Sequence, residues 1–325
     1  MLKILVCGGA GYIGSHMAQW LAEAGHAVTV LDNLSTGHRE AVKWGELVEA
    51  DLLDPASLEQ AFSARRFDAV MHFCARSLVG ESVRQPYEYY SNNVTGTLNL
   101  LEAMRRHGVE RLVFSSTAAV FGNPVAGLID EDHPKAPINP YGASKLMVER
   151  ILADAAGAYG LRSVTLRYFN AAGALSEHGI GEAHACETHL IPNALRAALG
   201  TGPALKLFGD DYATPDGTCV RDYVHVQDLA QAHALALGLM DREQGAHAFN
   251  LGNGRGFSVR EVIAAAARVA GRPVPHEVAP RREGDPALLV ASSQRAREVL
   301  GWQPVWTDLD AIIDSAWRWH QAQAF

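Results

Sequence analysis

Short apolar runs alternate with longer amphipathic segments through the first half of this chain. The runs have the length of β-strands and read LKILVC, AVTVLD, ELVEA, DAVMHF, RLVFSS and SVTLRYF. Segments of helical length separate them, such as GSHMAQWLAEAG and NVTGTLNLLEAMRRHG. This alternation is typical of a parallel sheet with helices on both faces. The sequence therefore predicts an α/β fold built on a doubly wound parallel sheet.

The alternation weakens after Asn170, where loops such as GALSEHGIGEAHACETH and GDDYATPDGTCVRDY appear. We expect a smaller C-terminal lobe from about residue 171. One later segment, VRDYVHVQDLAQAHALALGLM, again has the pattern of a strand followed by a helix and is expected to return to the sheet. The predicted domains are therefore residues 1–170, rejoined by about 219–252, and residues 171–325.

Composition narrows the classes of function. The 325 residues carry a formal net charge of −8, and basic residues are spread along the chain, which argues against a nucleic-acid or membrane surface. The apolar start is too short for a signal peptide, and no apolar run has membrane-spanning length. The four cysteines lie far apart and form no Cys-x-x-Cys motif. The sequence thus predicts a cytoplasmic protein with reduced thiols.

A glycine motif follows the first predicted strand. Gly8, Gly11 and Gly14 lie in GGAGYIG, immediately before a predicted helix. Glycines there allow a tight turn and close approach of the backbone to a pyrophosphate, as in Rossmann-like folds. Asp32 ends the next strand, where a carboxylate accepts hydrogen bonds from a ribose and repels a 2′-phosphate. The motif predicts NAD rather than NADP; the alternative for Asp32 is a turn residue in DNLSTG.

Two other aspartates lie near the third strand. Asp51 in EADLLD follows that strand and is predicted to reach the adenine edge of the dinucleotide, whereas Asp54 is the better N-cap for the next helix. In the fourth strand, His72 is predicted to be a packed core histidine.

The fifth predicted strand, RLVFSS, carries Thr117 to the carboxyl edge of the sheet, where ligands bind in open α/β folds. Tyr141 and Lys145 follow in NPYGASK, four residues apart and on one helix face. A solvated turn of amphipathic helix is the alternative. Together these elements resemble the extended short-chain dehydrogenase/reductases, and the resemblance implies catalytic roles for Thr117, Tyr141 and Lys145.

A tyrosine can act as a base near neutral pH only if its pKa falls by about three units, which requires about 4 kcal/mol of phenolate stabilisation. The Lys145 ammonium and the positive nicotinamide ring of NAD are expected to supply it together. The resemblance also implies that Lys145 hydrogen-bonds the nicotinamide ribose.

The resemblance narrows to the UDP-glucose 4-epimerases, also called UDP-galactose 4-epimerases. The matching stretches are GGAGYIGSH, LDNLSTG, VGESV, YYSNNVTGTLNLLEAM, FSSTAAVFG, PYGASKLMVE, LRYFNAAGA, DGTCVRDYVHV and APRREGD. It implies oxidation and re-reduction at C4 of a UDP-hexose through a 4-keto sugar. Related dehydratases carry an acidic pair after the Thr, where this chain has Ala118 and Ala119.

The resemblance also implies binding residues. Those for the cofactor are Gly8, Gly11, Tyr12, Ile13, Gly14, Asp32, Asn33, Asp51, Leu52, Phe73, Asn92, Tyr141, Lys145 and Tyr168. Those for the UDP-sugar are Thr117, Asn170, Phe208, Arg221, Arg282, Asp285 and Leu289. Surface salt bridging is the alternative for the arginines and is most serious for Arg281. The chain departs from the family pattern at Phe121, where a Tyr is common, and at Ser77.

The sequence leaves alternatives open for the substrate and for catalysis itself. The substrate could instead be another nucleotide sugar, such as an N-acetylhexosamine, uronate or pentose nucleotide, and a non-catalytic NAD-sensing regulator could share the fold. His178, His184, Cys186 and His189 cluster in one loop with Glu182 and Glu187, but no pair has a short zinc-site spacing, so we expect no metal. The resemblance implies a homodimer formed by the helices of NVTGTLNLLEAMRR and SKLMVERILADAAG.

Overall fold

A parallel sheet of seven strands dominates the computed structural model, which describes residues 1–282 and 285–325. All six apolar runs of the first half form strands of this sheet. The strands of the chain are β1 (Lys3–Cys7), β2 (Ala27–Asp32), β3 (Glu46–Glu49), β4 (Ala69–His72), β5 (Arg111–Thr117), β6 (Arg162–Tyr168), β7 (Asn170–Ala172), β8 (Leu205–Phe208), β9 (Val220–Arg221), β10 (Tyr223–His225), β11 (Ala246–Leu251), β12 (Phe257–Ser258), β13 (His276–Ala279) and β14 (Leu288–Leu289).

The strand order in the large sheet is β11-β6-β5-β4-β1-β2-β3, and every neighbouring pair is parallel. The order reverses beside β1, which lies between β2 and β4. Ligands in such sheets bind where the order reverses, at the carboxyl ends of the strands. The predicted fold class is confirmed.

Helices cover both faces of the sheet. The α-helices of the described residues are α1 (Tyr12–Glu23), α2 (Pro55–Ala64), α3 (Val79–Arg84), α4 (Pro86–Tyr90), α5 (Gly96–Arg106), α6 (Pro140–Tyr159), α7 (Leu190–Leu199), α8 (Val226–Arg242), α9 (Val259–Ala270) and α10 (Leu309–Gln321). Among the described residues, no helix has both the length and the apolar character needed to cross a bilayer.

The alternation of side chains along β1 explains the two layers of helices. Ile4 and Val6 pack with α1 and α8 on one face, whereas Leu5 and Cys7 pack with α2, α5 and α6 on the other. All four side chains are fully buried. Because successive strand residues point to opposite faces, a continuous apolar run supplies both cores. Asp54 caps α2 by accepting a hydrogen bond from the Ala56 N–H, as predicted.

A second hydrophobic cluster lies outside the sheet, where α7, α9 and α10 pack together with β8. The expected strand in VRDYVHV forms as β10, but it pairs with β7 in a separate two-stranded sheet. The chain returns to the large sheet through α8 and then β11, which pairs with β6. The prediction that the strand in VRDYVHV joins the large sheet was therefore wrong, because β7 leaves that sheet after β6 and pairs with β10. The strand that joins the large sheet is β11. The domain boundaries stay a prediction.

Candidate active site

The turn after β1 is built by glycines that the fold requires. Gly8 has a φ of +80°, and a Cβ there would lie 2.8 Å from the Cys74 nitrogen. A Cβ on Gly14 would lie 2.1 Å from the Gly8 carbonyl oxygen, so α1 approaches the strand closely. At Gly11 a Cβ would meet only that same oxygen, at 3.4 Å. Since α1 also begins without a side-chain cap, open space and free N–H groups fit a pyrophosphate.

Asp32 joins the two loops that border this turn. Its Oδ2 accepts a 2.9 Å hydrogen bond from the Ala10 N–H, and its Oδ1 accepts one of 2.9 Å from the Leu34 N–H. Burial raises the pKa of Asp32 above its ordinary value, and these backbone donors act in the opposite direction. Each carboxylate oxygen retains a further lone pair, so the group can still accept a ribose hydroxyl. Asp32 thus both shapes the pocket and fits the role predicted for it.

The other residues predicted to bind NAD surround this turn. Asn33 donates a 2.9 Å hydrogen bond to Asp51, and the carbonyl oxygen of Leu52 accepts one from Asn99. The Tyr12 hydroxyl donates a 2.6 Å hydrogen bond to the Gly173 carbonyl oxygen, beyond β7. Ile13 and Phe73 are half-buried against the core that contains α8.

Thr117 and Tyr141 meet where β5 ends and α6 begins. The Thr117 Oγ1 accepts a 3.1 Å hydrogen bond from the Ala119 N–H, while Asn139 caps α6 through the Gly142 N–H. A Cβ on Gly142 would lie 2.4 Å from the Ala119 carbonyl oxygen, so α6 touches the turn after β5. Burial raises the pKa of Tyr141, and a hydrogen bond with Thr117 acts in the opposite direction. The structure thus brings the predicted base and the predicted hydroxyl together.

Lys145 lies one turn further along α6. Its side chain is buried, and its Nζ donates a 2.7 Å hydrogen bond to the Ser115 carbonyl oxygen. Burial lowers the pKa of Lys145 to about 7. The Ser115 hydroxyl in turn contacts the Tyr168 hydroxyl, which is a predicted cofactor neighbour. A buried lysine with a strongly lowered pKa, one helical turn from Tyr141, is typical of functional sites.

A buried asparagine that the sequence analysis missed supports this constellation. The Asn93 side chain donates to the Ser144 hydroxyl and to the Arg76 carbonyl oxygen, and accepts from the Arg76 N–H. The predicted cofactor residue Asn92 also donates to the Asn93 Oδ1, at 2.9 Å. Asn93 lies in a π-helical turn, a local irregularity that is frequent at functional sites. The doubled asparagine in YYSNNVTG was the available signal.

A second missed feature fixes the other side of α6. Arg167 on β6 forms a two-pronged ion pair with Glu149, and both side chains are nearly buried. The Ser116 hydroxyl donates a 2.6 Å hydrogen bond to the same carboxylate. His72 is also buried, as predicted, and its Nε2 lies 3.0 Å from the Thr97 hydroxyl.

Apart from Thr117, the residues predicted to bind the sugar nucleotide lie on short strands and loops beside the large sheet. Arg221 on β9 pairs in register with Leu289 on β14, and its guanidinium forms an ion pair with Asp285. Asn170 donates a 2.9 Å hydrogen bond to the Asp222 carbonyl oxygen, which holds β7 beside this group. Because Thr117 pairs with Tyr168 at the end of β6, Asn170 follows two residues after a strand neighbour of the predicted catalytic threonine.

The two consecutive arginines Arg281 and Arg282 have different surroundings. The Arg282 guanidinium lies 4.0 Å from the ring centroid of Phe208, another predicted substrate neighbour. Arg281 forms an exposed 2.6 Å ion pair with Asp211, which agrees with the surface alternative. The Arg281 guanidinium also lies over a ring, 4.2 Å from the Tyr212 centroid, so the two arginines differ in that, among the described residues, only Arg281 forms an ion pair.

Leu289 packs partly against the cluster of Val120, Phe121 and Ile129. Phe121 itself is 1% exposed, so the residue that replaces a common tyrosine is a core side chain here. The Lys135 ammonium and the Arg167 guanidinium lie near its ring, at 6.0 and 5.5 Å from the centroid.

The loop that precedes α7 brings together side chains that the spacing had not linked. Glu182, His184, Glu187 and His189 offer ligand atoms within 4.8 Å of one another. Cys186 is exposed, and His178 lies against Trp44 and Glu23 instead.

Comparison with known proteins agrees with this geometry. The sequence model of the NAD dependent epimerase/dehydratase family matches residues 4–252. A UDP-glucose 4-epimerase of Streptomyces lividans is 53% identical over 323 residues, which cover 98% of this chain and 96% of that protein. One of Halalkalibacterium halodurans is 51% identical over 320 residues, which cover 98% and 96%.

The crystal structure of UDP-glucose 4-epimerase from Brucella ovis in complex with NAD has a TM-score of 0.95 to this chain, at 51% identity and with 98% of each chain covered. The resemblance of the sequence to the UDP-glucose 4-epimerases is thereby confirmed. This chain belongs to the NAD dependent epimerase/dehydratase family.

Proposed function

We propose that this protein interconverts UDP-glucose and UDP-galactose by oxidising and re-reducing the sugar at C4. The convergence of Thr117, Tyr141 and Lys145 at the carboxyl end of β5 carries this proposal. The identity of about half of all positions to UDP-glucose 4-epimerases supports the choice of substrate.

Tyr141 is the proposed acid and base. In the first half of the reaction its oxygen takes the proton of the sugar 4-hydroxyl, and in the second half it returns that proton to the keto oxygen. Thr117 is proposed to hold the sugar hydroxyl beside the phenol, since its own hydroxyl lies close enough to Tyr141 to lower the pKa of the phenol. When bound, NAD supplies the acceptor for the hydride of C4 and later the donor that returns it.

Lys145 is proposed to favour the phenolate of Tyr141. Burial raises the pKa of the tyrosine, so the protein must provide a nearby positive charge to lower it. An ammonium in a low-dielectric site interacts much more strongly with a phenolate than it does in water. The hydrogen bond from Lys145 to Ser115 holds the amine at the end of β5, two residues before Thr117.

Epimerisation requires the 4-keto sugar to present both faces while the nucleotide stays bound. Arg221 and Arg282 are the proposed anchors for the diphosphate, because a guanidinium binds phosphate oxygens through two parallel hydrogen bonds. Asp285 is proposed to position the Arg221 guanidinium, with which it forms an ion pair. They lie on short strands and loops beside the sheet rather than on α6. The anchor and the acid–base group therefore occupy different elements, which leaves the sugar free to turn between them.

Elimination of water is disfavoured in this site. Thr117 is followed by Ala118 and Ala119, whose methyl side chains can neither donate nor accept a proton. A non-catalytic NAD-binding regulator has no use for a buried lysine beside a tyrosine and a threonine. Redox chemistry at one carbon remains the best-supported activity.

We also propose the organisation of the protein that the sequence predicted. Residues 1–170, rejoined by about 219–252, form the NAD-binding domain, and residues 171–325 form the UDP-sugar-binding domain. A homodimer through α5 and α6 is supported by the exposure of Leu98 and Met147 on those helices. The free state of all four cysteines supports a cytoplasmic location.

The test is direct. The purified protein is denatured, and NAD is measured in the supernatant; the native protein is then incubated with UDP-galactose, and UDP-glucose is detected by nuclear magnetic resonance. We expect NAD in the supernatant and conversion without added reductant. Bound NAD without conversion would support a non-catalytic regulator instead. Conversion of a different nucleotide sugar, with none of UDP-galactose, would assign that sugar as the substrate.

A further inference from the structure

The loop between β7 and α7 carries a four-residue cluster that the proposed reaction does not use. Glu182, His184, Glu187 and His189 converge so that one ligand atom of each lies within 4.8 Å of the others. The carboxylate side chains are 5% and 1% exposed, whereas the imidazoles are partly open to solvent. Two carboxylates and two imidazoles form a donor set that suits zinc.

Three of the distances between these atoms match a tetrahedral site. Ligands at typical zinc bond lengths lie about 3.3–3.5 Å apart along the edges of a tetrahedron. The His184 Nδ1 lies 3.3 Å from Glu182 Oε1 and 3.4 Å from Glu187 Oε2. The His189 Nδ1 lies 3.3 Å from Glu187 Oε1 and forms a hydrogen bond with Glu182 Oε1, which an ion between the two atoms would replace. The three measured distances exceed the usual length of an N–H···O hydrogen bond.

One buried atom in the cluster lacks a partner. The Glu187 Oε2 is buried, and among residues 1–282 and 285–325 it has no hydrogen-bond partner. A buried carboxylate oxygen without a donor is costly, whereas a cation at the centre of the cluster would satisfy it. The two carboxylate charges would also balance a divalent ion held by two neutral imidazoles.

Side chains outside the cluster hold the backbone of the loop in place. Trp319 on α10 donates a 2.8 Å hydrogen bond from Nε1 to the Glu182 carbonyl oxygen, and the His38 Nε2 lies 2.9 Å from the Ala183 carbonyl oxygen. A Cβ on Gly181 would lie 2.4 Å from the Trp319 ring, so the loop is packed tightly there. Such support outside the ligands is typical of metal sites.

We propose that Glu182, His184, Glu187 and His189 bind one divalent transition-metal ion, with zinc as the best fit, in a closed structural site. The ion joins the start of the loop at Glu182 to its end at His189, just before α7. His184 also lines the cavity that contains Gly11 and Tyr12. The metal therefore ties this loop to the nucleotide-binding turn, and this holds whether or not the proposed substrate is correct.

The experiment uses the full chain without a polyhistidine tag. Metal content is measured by plasma mass spectrometry as purified and after dialysis against a chelator, and zinc is then titrated back by calorimetry. We expect about one zinc per chain and a rise of the thermal midpoint of the stripped protein when zinc is added. Glu187→Gln and His189→Ala should each weaken zinc binding by about a hundredfold or more.

Two substitutions in the same loop are matched controls. His178→Ala and Cys186→Ser remove other candidate ligands, and both variants should bind zinc like the parent. Cobalt added to the stripped parent should give the visible absorption of tetrahedral coordination without a thiolate band, which decides the matter even if a ligand variant fails to fold. Absence of zinc binding by the parent, an octahedral cobalt spectrum, or unchanged binding by Glu187→Gln would overturn the proposal and leave an ion-pair network.

Discussion

Lys145 donates a 2.7 Å hydrogen bond from Nζ to the carbonyl oxygen of Ser115, the residue that lies two positions before Thr117 on β5. The same ammonium lies 4.7 Å from the ring centroid of Phe114. The lysine side chain is 2% exposed, and burial lowers its pKa from the ordinary value to about 7. The burial of this ammonium therefore costs folding free energy.

Because the buried ammonium costs folding free energy, we expect Lys145→Met to be more stable than the parent when no cofactor is bound. Between its lowered folded pKa and its ordinary pKa, the unfolded chain binds more protons, so the stability of the parent rises with pH in that window. The variant lacks this dependence. Its advantage over the parent should shrink by about 2–3 kcal/mol between about pH 6 and about pH 9. Urea unfolding of the NAD-free parent and variant at each pH measures this difference in the free energy of unfolding.

Lys206→Met is the matched control, because that lysine is exposed on β8 and its ammonium stays in water. Its difference from the parent should not vary with pH. If the stability difference between Lys145→Met and the parent were also independent of pH, Lys145 would not be a buried charge in the folded protein. Turnover of Lys145→Met should fall sharply, which separates the functional value of the lysine from its structural cost.

Tyr141→Phe tests the assignment of the acid–base group. The phenyl ring keeps the packing against Thr117 but can neither take nor return a proton. We expect normal bound NAD and a normal thermal midpoint, with turnover of UDP-galactose lowered by about a thousandfold. Tyr159→Phe is the control, since that tyrosine is exposed at the end of α6 and should keep full activity. Near-normal turnover of Tyr141→Phe would mean that another group is the base.

The main features of the fold could be predicted from sequence because local patterns encode them. Apolar runs with residues facing both cores produced six of the seven strands of the large sheet. The seventh, β11, was not predicted as a strand, since its first residues are exposed or half-buried and it follows the region where the alternation weakens. Its place depends on a long-range contact with β6, which local periodicity does not contain.

Parts of the site depend on the same kind of contact. The glycine turn and the Tyr141–Lys145 pair are each local in sequence and were predicted. The register of Leu289 with Arg221 joins two strands of two residues each, which are too short for a pattern to reveal. The spacings among Glu182, His184, Glu187 and His189 indicated no zinc motif, and only the folded loop brings them together.

Arg282→Lys tests the contact between the Arg282 guanidinium and the Phe208 ring. Lysine keeps the charge but loses the planar group that lies over Phe208 and the two-pronged contact with phosphate. We expect KM for UDP-galactose to rise about tenfold with little change in kcat, because the contact holds the nucleotide before and during the reaction. Arg281→Lys, at the exposed pair with Asp211, should leave both constants unchanged. Equal effects of the two substitutions would refute a special role for Arg282.

A homodimer is predicted from the exposed apolar side chains of α5 and α6. Leu98 is 45% exposed and Met147 is 47% exposed, although both helices bury their other faces in the core. The parent should have twice the chain mass by light scattering, and Leu98→Glu combined with Met147→Glu should give a monomer. Val278→Glu, at an exposed apolar residue on β13, is the control and should remain dimeric. A monomeric parent would overturn this prediction.

Leu289 is the residue expected to limit the size of the sugar. It lies on β14 opposite Arg221 and is only partly buried, so one side of the leucine remains available to a ligand. Filling its space with an acetamido group would cost about 1–3 kcal/mol, which corresponds to about one to two decades in rate. Leu289→Ala should therefore raise kcat/KM for UDP-N-acetylglucosamine relative to UDP-glucose by about that factor.

The adjacent leucine provides the control for this prediction. Successive residues of a strand point to opposite sides, so Leu288→Ala removes the same atoms from the other side of β14 and should leave the ratio of the two kcat/KM values unchanged. Leu289 also packs against Phe121 and its neighbours, so its truncation is expected to lower stability as well. For that reason both variants are compared at a temperature where each is fully folded. An unchanged ratio in Leu289→Ala would show that the leucine belongs to the core and does not set the substrate preference.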